Sequence, residues 1–339
     1  LNNKPKVTLI AAVCVLSAVM LASCRELPGK EAADNQFQER LSGNFGEFNA
    51  DDLERNISEA LAEAGADAAD AAIAVKDQLS QAVAAGSTAV AEAGVSAADD
   101  LLAAGGVRKE LTASLEAGSA STLKIDNAVG EVHVVPGQGA AVEVKAAIIV
   151  HSSKSDKDNE QLLESAEVAV KKSGDTLTVI TYAKDHPKQN LWSWAQQTYG
   201  HSDISINYTV QVPPSLTGFD INTDVGRIRV QDVQGTFELS SDVGAVSLQN
   251  AGIRGKSSVS TETGNIDLDL TAMDKSTRLK AESAVGHISA ALAEDMKVTL
   301  DTSTELGGIS GAKKGKQEIN GGGPLLSLST EIGSITVQR

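Results

Sequence analysis

Five acidic residues recur at one place in a repeated pattern, two positions before a glycine: Asp224, Asp242, Glu262, Glu305 and Glu331, with Ala284 breaking the row. Stacked on neighbouring strands they would stand about 4.8 Å apart, where like charges repel by roughly 1 kcal/mol in water. A divalent cation such as Ca²⁺ would relieve that repulsion. Calcium takes about six to eight oxygens in a shaped loop, however, and the chain has neither an EF-hand loop nor an Asp-rich nonapeptide. The row therefore reads as a solvated turn edge that discourages edge-to-edge pairing; neither metal nor cofactor is expected.

The second concentration of chemistry is aromatic. Half of the aromatic residues fall between Tyr182 and Tyr208, a span that also holds His186 and His201. Leu191, Trp194, Ala195 and Thr198 are helically spaced, which predicts a short amphipathic helix lying on the domain. Trp192, Trp194 and Tyr199 offer contact area for sugar faces or a partner protein; the competing expectation is a packing cap over a core of small residues. His186 and His201 lack a third ligand at zinc spacing. His133, His151 and His287 are scattered, and Arg227, Arg229 and Arg254 read as exposed charges. No nucleophile elbow, P-loop or zinc-protease signature is present, and no catalytic residue is assigned.

These residues hang on a repeat. Six copies of a single pattern align on Gly226, Gly244, Gly264, Gly286, Gly307 and Gly333, with spacings of 18, 20, 22, 21 and 26 residues, in the range of solenoid repeats. An outlying copy spans Ile125 to Val134 around Gly130. Two positions after each glycine stands Ile228, Val246, Ile266, Ile288, Ile309 or Ile335, and three before it Thr223, Ser241, Thr261, Ser283, Thr304 or Thr330. Alternation on both sides marks half-buried strands, and the glycine fits a turn needing positive φ or close backbone approach. Each unit is strand, tight turn, strand. One such unit cannot bury its own apolar face, so neighbours must stack. The expected fold is all-β, a β-solenoid of about twenty-residue coils; a β-sandwich is the weaker alternative. A polar helical insert is expected near Asp156 to Ala166, and Lys172-Ser173-Gly174-Asp175 reads as a hairpin turn.

Upstream the composition changes. Lys4 and Lys6 precede an uncharged stretch from Val7 to Met20, right for a signal-peptide core and short for a membrane span. It ends in Leu21-Ala22-Ser23-Cys24, which resembles the bacterial lipobox, so residues 1–23 are expected to be removed and Cys24 to carry lipid. Two acyl chains suffice for stable anchoring. Residues 24–49 read as a flexible leader. Residues 50–118 are Ala-rich, with 13 acids against 4 bases over 50–117. Apolar residues at helical spacing, Val107, Leu111 and Leu115 among them, predict an α-helical stalk, with a loosely helical or disordered linker as the alternative. The remaining unit, 119–339, is the repeat domain. The chain's 45 acids against 29 bases, net charge −16, argue against nucleic acid as a partner.

Ile125-Asp126-Asn127-Ala128-Val129-Gly130-Glu131-Val132, Gly174-Asp175-Thr176-Leu177-Thr178-Val179, and Tyr208-Thr209-Val210-Gln211-Val212-Pro213 with the serial Asp-Val-Gly turns together resemble the bacterial putative-adhesin family of β-strand-repeat domains (the LiaG-like group) over roughly residues 120–339. The resemblance implies a non-catalytic domain and supplies no site residues. The functional expectation is a lipid-anchored, extracytoplasmic envelope protein contacting a wall polymer or an envelope protein. Accessory service in envelope-stress signalling is the alternative, and a polysaccharide-active β-helix enzyme a more distant one.

Overall fold

Among the described residues, period-two patterning becomes twenty strands and two helices. The computed structural model describes residues 106–151 and 156–339. The signal segment, Cys24, the leader and the stalk up to residue 105 lie outside the described residues.

Each coil is a strand, a turn glycine and a second strand that turns onto the opposite sheet. The pairs are β2 (Thr122–Val129) and β3 (Val132–Pro136) about Gly130, β8 (Gly218–Val225) and β9 (Ile228–Gln231) about Gly226, and β10 (Gln234–Val243) and β11 (Val246–Ile253) about Gly244. They continue with β12 (Lys256–Thr263) and β13 (Ile266–Met273) about Gly264, β14 (Arg278–Val285) and β15 (Ile288–Leu292) about Gly286. The last are β16 (Val298–Leu306) and β17 (Ile309–Ser310) about Gly307, and β19 (Leu325–Ile332) and β20 (Ile335–Gln338) about Gly333. First strands stack in parallel into one sheet and second strands into another, and the two enclose the core. Residues two past each glycine point inward: Ile228, Val246, Ile266, Ile288 and Ile335 are fully buried, each contributing roughly 1.5–3 kcal/mol. Opposite them lie Ile221, Leu239, Val259, Ala281 and Leu328. Phe219 and Phe237, stacked at 5.3 Å, are among the largest fully buried side chains.

Stacking order departs from chain order twice. The Gly130 coil sits directly against the Gly226 coil, β2 pairing with β8 and β3 with β9, so everything between them in sequence is an insertion that covers the N-terminal end. There β1 (Val107–Glu116), β4 (Ala141–Val150) and β7 (Ile204–Val212) extend the second sheet, and the hairpin of β5 (Ala166–Ser173) and β6 (Thr176–Ala183) extends the first, turning at Gly174. Helix α1 (Asp156–Ser165) and helix α2 (Leu191–Tyr199) belong to the same insertion. At the other end the last coil in sequence slips inside: β19 pairs with both β14 and β16, so the Gly333 coil lies between those of Gly286 and Gly307. The inner residues explain this. Leu326, Leu328, Ile335 and Val337 are all buried, whereas the Gly307 coil offers a half-buried Ile309 and then Gly311. The poorer coil takes the end, where one side faces solvent, with β18 (Gly315–Ile319) antiparallel beside it.

The helical stalk is corrected at its C-terminal end. Residues Val107–Glu116 form a ten-residue strand pairing antiparallel with β4. Val107, Leu111 and Leu115 are spaced by four, which keeps one face of a helix but, being even, also one face of a strand. The intervening Lys109 and Ala113 lie on that face too. The sheet of the repeat domain therefore includes β1, ahead of residue 119.

Exposed sheet edges invite pairing with other chains, and both ends are blunted by lysines. Lys109 Nζ donates to the Leu163 carbonyl at 2.6 Å, Lys172 Nζ to that of Ala117 at 3.0 Å, and Lys314 Nζ to that of Thr304 at 3.0 Å.

The turn glycines share one geometry. All seven have φ between 135° and 155°, and a Cβ built on any of them would overlap a backbone carbonyl of the adjacent level: Gly226 against Gly130, Gly244 against Gly226, Gly264 against Gly244, and so on along the stack. The amides of all but the outermost Gly307 donate to the next coil, among them Gly244 N to Thr263 O at 2.9 Å and Gly264 N to Val285 O at 2.9 Å. Five of the seven carbonyls accept a hydroxyl: Ser241 Oγ to Gly226 O at 3.3 Å, Thr261 Oγ1 to Gly244 O at 3.1 Å, Ser283 Oγ to Gly264 O at 3.0 Å, Thr330 Oγ1 to Gly286 O at 3.2 Å and Thr304 Oγ1 to Gly333 O at 3.1 Å. In the Gly130 coil the level beneath is β7, and the longer Asn127 donates to Ile206 O instead.

Two pairs of substitutions test this ladder by urea denaturation. Gly264→Ala should destabilise by roughly 3 kcal/mol or more, since strain at positive φ adds to a backbone overlap. Gly174→Ala, where φ is 62° but nothing lies within 4 Å of the new Cβ, should cost only about 1 kcal/mol. Thr261→Val leaves a buried carbonyl without its hydroxyl donor and should cost about 1–3 kcal/mol. Thr223→Val, removing a buried hydroxyl that has no partner, should cost nothing or stabilise. Equal effects at the two threonines would remove the hydroxyl ladder as a source of stability.

Candidate functional site

With the hydroxyl position turned inward, the next residue along each coil faces solvent at the turn edge. In stacking order this row runs Ala128, Asp224, Asp242, Glu262, Ala284, Glu331, Glu305. All five acids are exposed. The alanines divide them into a group of three and a group of two, so no run is longer than three. Asp224's carboxyl is raised above its ordinary value by partial burial, then by Asp242 and Asp126. Among the described residues no group of three or more His, Cys, Asp or Glu side chains could hold a metal ion.

Charges on the first sheet's outer face are locally matched. Lys124 Nζ lies 2.8 Å from Asp220 and 3.7 Å from Asp126, and its ammonium is held above its ordinary value chiefly by the Asp220 hydrogen bond. Beside Asp220 is a shallow hollow of about 310 Å³ that includes Thr122, Thr236 and Glu238, a lining of carboxylates and hydroxyls.

The aromatic segment folds as a helix for reasons visible in its ends. Asn190 caps α2, its Oδ1 accepting from Ser193 N at 2.8 Å, and Gly200 closes it in the left-handed conformation with φ 74°. The tryptophan rings are placed otherwise than a contact loop requires. Trp192 and Trp194 are each only 9% exposed, and Trp192 Nε1 donates to Ile204 O at 2.9 Å. Trp194 meets Tyr199 edge to face at 5.6 Å, and Tyr199 packs partly buried against the core. Their area covers the N-terminal end of the stack. Tyr208 and Thr181, both buried, share a 2.6 Å hydroxyl hydrogen bond, and burial raises the phenol.

The histidines do not converge. His186 lies 6.3 Å from the Trp194 ring, and His201, buried below α2, is 3.6 Å from Asp203. His151 contacts Ser205, His133 contacts Gln231 and His287 contacts Ser334. Arg229 reaches Glu131 at 3.4 Å, and Arg254 donates to Gln234 at 2.6 Å. What the sequence did not disclose is the use of the Ser/Thr position. Its recurrence was plain, but only stacking shows that the hydroxyl belongs to the glycine of the coil below.

Among solved structures, a "putative cell adhesion protein" from Clostridium sporogenes is 11% identical, covers 68% of this chain and 99% of its own, and has a TM-score of 0.40. A "putative adhesin" from Bacteroides fragilis is 17% identical over 68% of this chain and 97% of its own, at 0.35. A "putative lipid binding protein" from Parabacteroides distasonis is 12% identical over 69% and 98%, at 0.25. No curated protein matches the sequence. The Toastrack DUF4097 family matches residues 202–321, from the end of α2's connection through β18, taking in the turns at Gly226, Gly244, Gly264, Gly286 and Gly307. Residues 202–321 of the glycine-ladder solenoid thus match the Toastrack DUF4097 family.

Proposed function

We propose that this chain is a non-catalytic, surface-exposed binding protein of the bacterial cell envelope, anchored by lipid on Cys24, whose solenoid makes adhesive contact with an extended wall polymer or an envelope protein. One observation carries the reading: the outer rows repeat in register from coil to coil. Parallel first strands place Asp224 beside Asp242, and Asp242 beside Glu262, at the strand spacing. A periodic surface of this kind suits a periodic or extended partner, since several weak contacts then add through their effective concentration. The buried polar side chains support it from inside. Thr261, Ser283 and Thr330 are committed to the ladder, so the coil interior holds them for stability rather than reaction. Relatives described as adhesins point the same way in name.

Anchoring is tested in the native host with the full chain. Wild-type protein should incorporate a palmitate analogue and sediment with membranes. Cys24→Ala should lose the label and appear in the soluble fraction with its fold intact. A Cys24→Ala protein that still sediments fully would remove the lipid anchor, and a deletion strain that adheres to surfaces as its parent does would remove the adhesive role.

A further inference from the structure

The outer face of the second sheet is uneven where the first is regular. Register places Arg229 of β9 beside Ser247 of β11, Ser247 beside Asp267 of β13, and Asp267 beside Ser289 of β15. Two residues further along, Gln231 lies beside Gln249 and Asp269 beside Ala291. Small side chains thus alternate with long ones across the stack. Ser247 points outward yet is only 7% exposed, because the rows on either side rise above it. The result is a groove of about 470 Å³ with Ser247 in its floor, within the size range of roughly 300–1,000 Å³ typical of small-molecule sites.

The groove has a built end. The β11–β13 register slips between Leu248 and Ala251, and Asn250 takes a left-handed conformation, φ 51°. Its amide faces Asp269 Oδ2 at 3.3 Å and its side chain donates to Asp232 Oδ1 at 2.5 Å. A bulge of this kind re-aims side chains beside sites. Along the groove Gln231 donates to Gln249 and is bonded to His133, which fixes the amide row. Asp267's carboxyl is raised by burial against the pull of His287 and Arg227.

The balance of charge selects the ligand. Asp232, Asp267 and Asp269 carry negative charge, and Arg227 and Arg229 border them, the latter beside Glu131, so charges of both signs are interspersed on this face. A polycation would meet guanidinium groups and a polyanion would meet carboxylates. Carboxylates that only accept, guanidinium that only donates and amides that do both alternate over short distances. Hydroxyl groups, which donate and accept, match that pattern. The rows repeat at the strand spacing of about 4.8 Å, close to the ring-to-ring repeat of a β-linked polysaccharide. We infer that this groove binds a neutral β-linked glycan, one ring for each coil, with Asp267 and Asp269 accepting from ring hydroxyls. The inference rests on the surface-binding reading above and names its ligand class.

The test uses the full chain in detergent, with immobilised cellohexaose, mannohexaose and chitohexaose as neutral probes and polygalacturonate and polylysine as charged ones. At least one neutral hexaose should retain the protein. Asp267→Ala and Ser247→Gln, the second filling the floor, should each weaken that binding tenfold or more with melting temperature unchanged. Glu262→Gln, on the turn edge, should bind as wild type. Retention only on a charged probe, no retention on any neutral hexaose, or unaltered binding by both groove variants would each overturn the proposal. Adherence of intact cells separates the two readings. If it depends on the chain while no neutral hexaose binds, the ligand is wrong and the surface role stands; if it does not depend on the chain, the role fails whatever the groove binds.

Discussion

Backbone approach at the turn sets every other dimension of this molecule. Adjacent coils come so close at the glycine that the space a Cβ would fill is occupied by the neighbouring carbonyl. That closeness makes the remaining geometry possible. It brings Thr261 Oγ1 within 3.1 Å of Gly244 O, and it holds Ile266 directly above Val246 in the core. An alanine at one turn would do more than strain its own φ. It would lift one coil from the next and stretch the hydroxyl contact, the amide contact and the apolar contact together. The Ser/Thr, the glycine and the Ile/Val are therefore one interaction distributed over three positions.

That constraint also accounts for how the stack ends. A ladder whose every level needs the next would expose unpaired backbone wherever it stops. At the N-terminal end Ile206 O takes the place of a turn carbonyl, meeting Gly130 and accepting from Asn127. The chain thereby changes from glycine turns to the long strands β4 and β7 without leaving the ladder open. At the other end the Gly333 coil, rich in buried side chains, is drawn inside, and the Gly307 coil is left outermost. Gly311 folds back there against Val337, and Lys314 covers the Thr304 carbonyl. Both ends sacrifice regularity to satisfy polar backbone.

Features read along the chain were the legible ones. The glycine, the hydroxyl and the apolar residue recur within ten residues of each other, so their pattern declares both strand and turn, and Lys172 to Asp175 declares its hairpin. Features that arise between coils were hidden. Nothing in the order of residues says that Leu325–Ile332 will lie between β14 and β16, because that choice depends on which coil has the better core residues. Val107, Leu111 and Leu115 misled for a related reason. A spacing of four satisfies both periods, and only the partner strand Ala141–Val150 decides between them. The aromatic helix was legible as a helix, from the spacing of Leu191, Trp194, Ala195 and Thr198, but its tryptophans' burial depends on the strands beneath, Ile204 among them.

The groove over Ser247 was hidden most completely, and the reason bears on how such a fold acquires function. Arg229, Ser247, Asp267 and Ser289 are each separated by 18 to 22 residues in sequence and meet only through register. None of them touches the glycine ladder. A β-solenoid thus separates two sets of positions: those facing inward or placed at the turn, which the ladder fixes, and those facing outward on the strands, which it leaves free. Outward residues can change from coil to coil at little cost to stability. Variation among them is therefore where binding chemistry can accumulate on a stack whose interior is repetitive. The irregular alternation of small and long side chains on the second sheet, set against the uniform apolar rows behind it, is the form that such accumulation takes here.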